Sequence, residues 1–369
     1  MKKIFIFFLF NLILHQLIAQ NYLSTEVYPD KKVAFRIYAP EASHIELKSY
    51  DKWDKVDFIK DSTGVWEGFW YNVDDGIYTY YFEVDGMKVV DPQSPLMRES
   101  TPTFEVKTKE NFYSLKENVK HGALSKRYYY SSTLQETRRL HVWTPFGYEK
   151  SIEELPVLYL IHGGGGNDLS WSNAGCAGNI LDNLLAEGKI EPMVVVMPNG
   201  TIETEHILGR VPIFKDELIN DIIPFIEDTY KVKTTSSQRA IIGLSMGGLE
   251  TLEVIMYHPD QFDYVGVLSS GWWLSDSWKK ARGIVDDKAL RERQVKAISN
   301  RFNKHNKLLY FTQGGQEDHA YENGMETLAL FDKAGISYQF KSTSGGHTYK
   351  VWRENLLMIA PLLFKDLDD

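Results

Sequence analysis

The sequence predicts an α/β domain with a mostly parallel sheet and helices on both faces, preceded by a small all-β sandwich. Up to about residue 107, short runs alternate apolar with polar residues and are separated by turn residues, a pattern typical of antiparallel strands. Beyond residue 111, continuous apolar runs alternate with segments of helical spacing. Such runs indicate strands that are buried on both faces of a parallel sheet.

The composition limits the classes of function. The 369 residues are 43% hydrophobic and 25% charged, which is ordinary for globular proteins and long enough for two domains. The formal net charge of −9 and the lack of a long basic run argue against a nucleic-acid partner. Cys176 is the single cysteine, so no internal disulfide is possible and the fold must depend on its core.

The first twenty residues, MKKIFIFFLFNLILHQLIAQ, are typical of a secretory signal peptide. Lys2 and Lys3 form a charged start, and the apolar segment that follows is too short to span a bilayer. We therefore expect a secreted or periplasmic protein that makes no membrane contact once the signal peptide is removed.

Residues 21–107 are expected to form the β-sandwich. The runs KKVAFRIYAP, SHIELKSY, GVWEGFWYNV and GIYTYYFEVDG are rich in β-branched and aromatic residues. The run EVDGMKVV predicts a tight hairpin with Asp85 and Gly86 at its tip. Residues 108–126 are polar and mixed, and we predict that they connect this domain to a second one at residues 127–369.

Five apolar runs predict strands of the sheet in the second domain: LPVLYLI, PMVVVMP, RAIIG, YVGVLSS and LLYFTQ. Segments with helical spacing lie between them, among them AGNILDNLLAEGK, KDELINDIIPFIEDTY, GGLETLEVIMYH and YENGMETLALFDKAG. This alternation predicts a sheet with a layer of helices on each side.

Ser245 lies in the run RAIIGLSMGGLE, where the pattern G-x-S-x-G is found between a buried strand and a helix. A nucleophilic serine on a strained turn requires this succession of strand, sharp turn and helix. Gly243 and Gly247 leave room where side chains would collide, and the start of the helix offers N–H groups to a developing anion. The context favours a nucleophile over an ordinary glycine-rich loop.

A serine nucleophile needs a base, and the base needs an orienting acid. His347 follows the last predicted strand in SYQFKSTSGGHTYKVW, and Glu317 and Asp318 follow the strand in LLYFTQGG. Serine, acid and histidine thus occur in the chain order of hydrolases with this architecture. Both acids could reach the imidazole, so their spacing leaves the choice open. His162 and His319 are further candidate bases, but neither follows the last strand.

Tetrahedral intermediates need preorganised N–H donors. One is expected from Met246, the residue after the serine, and others from Gly164 and Gly165 in the glycine loop, residues 162–166. This loop lacks the Lys-Ser/Thr ending of a phosphate-binding loop, which argues against a nucleotide. The sequence has no H-E-x-x-H motif and no cysteine pair, so no metal is expected.

Together these motifs resemble the esterase-D-type α/β hydrolases, which include carbohydrate esterase family one with its feruloyl and acetylxylan esterases. The resemblance covers roughly Gly122 to Leu363 and is carried by VWTPFGYEKSIEELPVLYLIHGGGGNDLSW, VVVMPNG, IIPFIEDTY and QRAIIGLSMGG. It implies an α/β-hydrolase fold, no cofactor, and a triad of Ser245, Asp318 and His347. In that family the acid lies in a G-x-x-D turn, which matches Asp318.

The preceding region is similar to the early-set, immunoglobulin-like domains of glycogen branching enzymes and of many bacterial esterases. VAFRIYAPEASHIELKSY, GVWEGFW, GIYTYYFEVDG and VVDPQSP carry this resemblance. In amylolytic enzymes such domains can bind glucans, whereas in esterases they more often pack on the catalytic domain.

The resemblance implies a secreted serine esterase that releases ferulate or acetate from plant xylan, an ester-substituted polysaccharide. The alternative enzyme is a siderophore trilactone esterase. The alternative of another class is a non-catalytic polysaccharide-binding protein on a hydrolase fold. Trp171, Asn199, Trp272 and Trp273 are the expected substrate-binding residues, and packing of the tryptophans under loops is the competing interpretation.

Overall fold

The computed structural model describes residues 22–49, 51–52, 54–91, 93–94, 96–98, 101–106, 112–205, 207–272, 274 and 288–365. The chain divides into two compact units, Met1–Asn111 and Phe112–Asp369. The expected signal peptide lies outside the described residues. Within the described ranges, no helix combines the length and the apolar character that crossing a bilayer requires.

The described part of the first unit is built from short strands: β1 (Thr25–Val27), β2 (Val33–Tyr38), β3 (Ile45–Ser49), β4 (Ile59–Lys60), β5 (Val65–Trp70), β6 (Gly76–Val84), β7 (Met87–Val89), β8 (Leu96–Arg98) and β9 (Thr101–Val106). One sheet has the order β1-β2-β5-β4, and the other has the order β3-β6-β9-β8 with β7 added on β6. The strand pairs within both sheets are antiparallel.

Both sheets of the first unit contribute aromatic side chains to one core. Phe35 of β2 meets Trp70, Tyr80 and Phe104 edge-to-face, with ring centroids 4.9, 5.4 and 5.5 Å apart. Such pairs add specific geometry to the burial of apolar surface. The predicted small all-β domain is therefore confirmed, while its relation to immunoglobulin-like domains stays a prediction.

The hairpin predicted in EVDGMKVV is also found. Val84 pairs with Met87, which leaves a two-residue loop of Asp85 and Gly86. Both loop residues have positive φ, 46° and 83°, as the common hairpin turns require.

The second unit contains an eight-stranded sheet formed by β10 (Ala123–Ser131), β11 (Glu136–Thr144), β12 (Val157–Ile161), β13 (Val194–Pro198), β14 (Arg239–Leu244), β15 (Tyr264–Leu268), β16 (Leu308–Gln313) and β17 (Gln339–Ser342). Its order is β10-β11-β13-β12-β14-β15-β16-β17. The pairs of β10 with β11 and of β11 with β13 are antiparallel, and the remaining pairs are parallel. The five apolar runs of the sequence all form strands whose residues are buried.

Seven α-helices occur in the described part of this unit: α1 (Ala177–Ala186), α2 (Arg210–Glu217), α3 (Ile223–Thr229), α4 (Met246–Tyr257), α5 (Lys288–His305), α6 (Tyr321–Ala334) and α7 (Tyr349–Ile359). A π-helical turn, Leu218–Ile222, links α2 to α3. Short 3₁₀ turns lie at Tyr148–Lys150, Ile207–Gly209, Ser236–Gln238 and Ala360–Leu362.

The helices cover both faces of the sheet. In β15, Val265 and Val267 join the core cluster that includes side chains of α4, α5 and α6. Gly266 lies between them and faces the other way, because a Cβ there would meet the Cδ1 of Ile359 in α7 at 2.6 Å. The predicted three-layer arrangement is confirmed.

The segment before the sheet packs more closely than a free connection would. Nδ2 of Asn183 in α1 donates to the carbonyls of Phe112 (2.8 Å) and Ser114 (3.1 Å). Strand β10 then begins at Ala123, inside the range 108–126 that its polar composition assigns to a connection. The carbonyls of Phe112 and Ser114 before this strand thus accept from one asparagine side chain of α1, so the polar character of the segment accompanies packing.

Candidate active site

Ser245 occupies the sharp turn between β14 and α4, with a backbone φ of 51° and ψ of −116°. Such a conformation costs a non-glycine residue on the order of 1–3 kcal/mol and persists only where the surroundings fix it. The N–H of Ser245 donates to the carbonyl of Leu268 (2.8 Å), and its own carbonyl accepts the hydroxyl of Ser270 (2.5 Å). Two groups at the carboxyl end of β15 therefore hold the strained turn.

Close backbone packing explains the glycines on either side of the serine. A Cβ at Gly243 would lie 2.0 Å from the carbonyl oxygen of Gly247. A Cβ at Gly247 would lie 2.5 Å from the carbonyl oxygen of His162. A side chain at either position would push the turn apart, so the G-x-S-x-G pattern has a steric cause in this chain.

The structure brings Ser245, His347 and Asp318 together in a hydrogen-bonded chain. Nε2 of His347 is 2.8 Å from Oγ of Ser245, and Nδ1 is 2.8 Å from Oδ1 of Asp318. Because an ionised carboxylate can only accept, Nδ1 carries the proton and Nε2 presents its lone pair to the serine hydroxyl. This arrangement allows the imidazole to take the proton of the serine.

Asp318 remains ionised although it is buried. Burial raises the pKa of this carboxyl, but the hydrogen bond and the charge of His347, with Ser269 and the N–H of Ala320, bring the pKa down to about 2. The N–H of Ala320 donates to Oδ1 at 2.9 Å. An ionised acceptor fixes both the tautomer and the orientation of the histidine ring.

The other candidate acid, Glu317, has a different partner. Its Oε1 accepts the N–H of Gly345 at 2.9 Å, two residues before His347. The imidazole is thus paired with Asp318, and Glu317 holds the backbone of the loop that carries the histidine. The ring of Trp352 meets the same imidazole edge-on at 4.9 Å.

The glycine loop lies next to the start of α4. The N–H of Gly166 donates to the carbonyl of Gly163 at 3.1 Å, which closes a tight turn over Gly164 and Gly165. The Cβ position of Gly164 is 3.9 Å from the Cβ of Met246. Met246 is the first residue of α4, where N–H groups have no partner within the helix. Two of the predicted oxyanion donors, Gly164 and Met246, therefore lie next to each other at the start of α4, and their role stays a prediction.

His162 fixes the glycine loop through both of its ring nitrogens. Nδ1–H donates to the carbonyl of Gly163 (2.7 Å), and Nε2 accepts the N–H of Gly200 (2.9 Å). Burial lowers the pKa of His162 to about 4, more than the hydrogen bond to Gly163 raises it. This neutral, fully engaged ring is not placed as a base for Ser245. The other alternative base, His319, is exposed and stacks on His347.

A buried aspartate that the sequence analysis missed anchors the same loop. Asp168 is 1% exposed and accepts Nδ1–H of His141 (2.7 Å) and both Nε and Nη2 of Arg139 (2.8 and 2.9 Å). Burial raises the pKa of Asp168, but these hydrogen bonds lower the pKa by more than burial raises it, so the net shift is downward. Arg139 and His141 are two residues apart on β11 and share one face of the strand, which is the one local signal that could have indicated a buried partner.

The expected substrate-binding residues have separate outcomes. Trp171 is 1% exposed and its Nε1–H donates to the carbonyl of Ile161 (3.1 Å), while Trp272 is 0% exposed. This burial corrects the prediction for both, because their side chains pack in the core and do not face a substrate. Asn199 is half-buried after β13, and its Oδ1 accepts the N–H of Thr201 (3.1 Å). Trp273 lies outside the described residues.

Comparison with known families identifies the second unit. The model of the esterase family matches residues 131–363, which contain all three residues of the hydrogen-bonded chain. The chain belongs to this esterase family. The resemblance to esterases that the sequence motifs indicate is thereby confirmed at the level of this family.

Two curated relatives of this esterase are larger proteins. The endo-1,4-beta-xylanase/feruloyl esterase of Xylanibacter ruminicola is 30% identical over 348 residues, which are 90% of this chain and 44% of that protein. Endo-1,4-beta-xylanase Y of Acetivibrio thermocellus is 32% identical over 165 residues, which are 41% of this chain and 15% of that protein. The chain thus spans less than half the length of either relative.

Solved structures confirm the α/β-hydrolase fold. A CE1 ferulic acid esterase from Anaeromyces mucronatus, in complex with ferulic acid, aligns with a TM-score of 0.60 and 21% identity over 70% of this chain and 96% of its own. The enterobactin esterase of Shigella flexneri aligns with a TM-score of 0.66 and 16% identity over 94% of this chain and 98% of its own. At these identities the likeness establishes the fold alone.

Proposed function

We propose that this protein is a serine carboxylic-ester hydrolase that works through an acyl-enzyme. The observation that carries the proposal is the chain of two 2.8 Å hydrogen bonds from Ser245 through His347 to Asp318. The strained backbone of Ser245 at the start of α4 supports it, because this turn lifts the hydroxyl away from the sheet.

In the first step, Oγ of Ser245 attacks the ester carbonyl carbon while its proton passes to Nε2 of His347. The ionised Asp318 stabilises the imidazolium that forms. The carbonyl electron pair moves onto oxygen, where N–H groups of Met246, Gly164 and Gly165 receive the negative charge. The C–O bond then breaks, and the imidazolium gives its proton to the departing alcohol.

In the second step, a water molecule takes the place of the alcohol. Nε2 of His347 accepts a proton from this water as its oxygen attacks the acyl carbon. The same donors receive the oxyanion again, and the proton returns to Oγ of Ser245 as the carboxylic acid leaves. Every proton that moves in this cycle passes through Nε2 of His347, so the cycle requires no cofactor.

The proposed substrate is a ferulate or acetate ester on plant xylan. The curated relatives support it, since the one that matches 90% of this chain is an endo-1,4-beta-xylanase/feruloyl esterase. Export from the cytoplasm is part of the proposal, because a polysaccharide of the plant cell wall is met outside the cell and the first twenty residues are typical of a signal peptide.

The test is the hydrolysis of p-nitrophenyl acetate and methyl ferulate by Ser245→Ala. We expect kcat to fall at least about 10⁴-fold, since removing the nucleophile leaves only binding and the oxyanion donors. Ser237→Ala is the matched control, because Ser237 precedes β14 at the end of the strand opposite to Ser245, and its Oγ is 3.1 Å from Oγ1 of Thr235, two residues away. Equal activity of Ser245→Ala and wild type would refute the proposal.

A second candidate is a catecholate trilactone esterase. The observation that favours it is coverage: the enterobactin esterase aligns over 94% of this chain, whereas the ferulic acid esterase aligns over 70%. Methyl ferulate, acetylated xylan and a catecholate trilactone should therefore be assayed side by side. Cleavage of the trilactone alone would replace the xylan proposal.

A non-catalytic polysaccharide-binding protein is the alternative of another class. It predicts that wild type and Ser245→Ala bind xylan with equal affinity and that neither releases p-nitrophenol from p-nitrophenyl acetate. Turnover by wild type that is lost in Ser245→Ala would exclude it.

A further inference from the structure

A second imidazole stands beside the histidine of the triad. The rings of His319 and His347 have centroids 3.9 Å apart and are tilted by 43°. One ligand atom from each of Asp318, His319 and His347 lies within 4.8 Å of the other two. His319 is exposed, so solvent has access to this cluster.

These three side chains suit a borderline-soft divalent cation. Two imidazoles and a carboxylate, completed by water, are a ligand set found for Zn²⁺ in proteins. Zn–N distances of about 2.0–2.1 Å place two ligand atoms of a tetrahedral ion roughly 3.3 Å apart. Closing the cluster from 4.8 Å requires movement on the order of 1.5 Å, which rotation of the exposed His319 side chain can supply.

Asp318 can accept a cation while keeping its place. Its Oδ1 already accepts from His347 and from the N–H of Ala320, and its Oδ2 accepts the N–H of Gly314 at 3.3 Å. A carboxylate has about four lone-pair positions, and the one that accepts from His347 becomes available when the cation takes the place of the Nδ1 proton. The backbone bonds hold the oxygens while the exposed imidazole moves.

We propose that Asp318, His319 and His347 form an inhibitory site for a zinc-like divalent cation. The binding itself follows from the cluster, whereas the inhibition rests on the proposed esterase function. A cation on Nδ1 of His347, the nitrogen that faces Asp318, takes the lone pair of that nitrogen, so the ring proton moves to Nε2 and no lone pair faces Ser245. The histidine then no longer serves as the base, and ester hydrolysis stops until the cation is removed.

The competing interpretation is that His319 only stacks on His347. Stacking is a property of the ring face and requires no cation, so it predicts equal sensitivity to zinc with and without this imidazole. Loss of the His319 ring therefore separates the two interpretations.

Binding is measured first, without reference to activity. Co²⁺ is titrated into the full-length metal-free protein, and the visible absorption of tetrahedral Co²⁺ is recorded for wild type, His319→Gln, Ser245→Ala and His44→Gln. His44 is the matched control, an exposed histidine whose Nε2 is 3.0 Å from Oε1 of Glu46 in the first unit. We expect a single site in wild type, Ser245→Ala and His44→Gln. In His319→Gln, affinity should fall about tenfold to hundredfold or more, because one of three protein ligands is lost.

Inhibition is measured second, with p-nitrophenyl acetate and graded Zn²⁺. Each variant is compared with its own activity without zinc, and excess EDTA should restore the activity of wild type. We expect the zinc concentration for half-inhibition to rise about tenfold or more in His319→Gln and to stay unchanged in His44→Gln.

The outcomes separate the two proposals. Equal Co²⁺ affinity and equal zinc inhibition in wild type and His319→Gln overturn the metal site while leaving the esterase proposal intact. Co²⁺ binding that depends on His319, without ester turnover by wild type, supports the site and overturns the esterase proposal.

Discussion

Two aspartate–histidine pairs in the described part of the second unit have nearly equal geometry but different further partners. Nδ1 of His347 is 2.8 Å from Asp318, and Nδ1 of His141 is 2.7 Å from Asp168. Both carboxylates are 1% exposed. Burial raises the pKa of each carboxyl, yet in both the hydrogen bonds outweigh burial and the net shift is downward.

The difference lies in what each pair does with its remaining bonding groups. In one pair, Nε2 of His347 faces the hydroxyl of Ser245 at 2.8 Å. In the other, the carboxylate of Asp168 is shared with the guanidinium of Arg139, which contributes Nε and Nη2 at 2.8 and 2.9 Å. An aspartate–histidine pair is thus a way of orienting a ring, and the third partner decides whether the pair transfers a proton or anchors a loop.

The largest effect is expected from breaking the first pair with Asp318→Asn. The neutral amide does not stabilise the positive charge of the His347 imidazolium, and its N–H group favours the wrong tautomer of the ring. We therefore expect kcat for methyl ferulate to fall about 10³- to 10⁴-fold. The fold should persist, because the amide oxygen can still accept the N–H of Ala320. Steady-state kinetics with near-UV circular dichroism test both expectations, and a loss below tenfold would contradict the role of Asp318.

Glu317→Gln is the matched control for this change. It removes the same charge from the adjacent residue but keeps an oxygen for the N–H of Gly345. We expect kcat to change less than about threefold, as for a surface charge screened by solvent. The double variant should be no less active than Asp318→Asn alone. A further loss in the double variant would mean that Glu317 replaces Asp318 as the orienting acid.

Much of this site could be predicted from the sequence because its signals are local. Ser245 follows β14, Asp318 follows β16 and His347 follows β17, so each functional residue stands just beyond a recognisable strand. Parallel strands bring their carboxyl ends to one edge of the sheet, which converts chain order into proximity. The choice between Asp318 and Glu317 as the orienting acid has no local signal, because it depends on a distant contact: the N–H of Gly345 donates to Glu317, which leaves Asp318 for the histidine.

The second pair and the tryptophans could not be predicted for the same reason. Asp168 is 29 residues from Arg139 and 27 residues from His141 along the chain, and none of these residues belongs to a recognisable sequence motif. Trp171 and Trp272 were expected at a substrate surface, yet an aromatic residue in a loop has the same local pattern whether it faces solvent or the core. Long-range packing decides such cases, and a single sequence does not contain it.

Asp168→Asn breaks the pair of Asp168 with His141, and we expect it to lower kcat less than Asp318→Asn does. Asp168 lies two residues after Gly166 and ties the glycine loop to β11, so the loop donors should lose part of their alignment. Complete loss of one oxyanion donor costs about 10²- to 10³-fold in kcat. For partial misalignment we expect kcat to fall about tenfold to hundredfold with little change in KM, measured with methyl ferulate.

Asp182→Asn provides the matched control for the loop anchor. Asp182 in α1 is also buried and paired with a histidine, since its Oδ2 is 3.1 Å from Nδ1 of His121, but its partners lie outside the glycine loop. Both variants should lower the thermal unfolding midpoint, and only Asp168→Asn should lower kcat. Equal kcat values for the two variants would mean that Asp168 has a role in stability alone.

His162 sharpens the comparison because it is a buried histidine without a carboxylate partner. Its Nε2 must be unprotonated to accept the N–H of Gly200, and burial lowers its pKa to about 4. The unfolded chain returns this group to an ordinary pKa of about 6.5. Between these two values the unfolded state binds more protons than the folded state, so the free energy of unfolding falls as the pH falls.

The contribution of His162 is about 2 kcal/mol between about pH 7.5 and pH 5. Urea unfolding of wild type and His162→Gln at both of these pH values measures this contribution, since glutamine does not titrate. The variant should be less stable at the higher pH, because one amide cannot serve both Gly163 and Gly200. Its loss of stability on acidification should nevertheless be smaller than that of wild type by about 2 kcal/mol. Equal losses in the two proteins would show that His162 has the same pKa in the folded and the unfolded chain, and that the glycine loop does not require a neutral ring at this position.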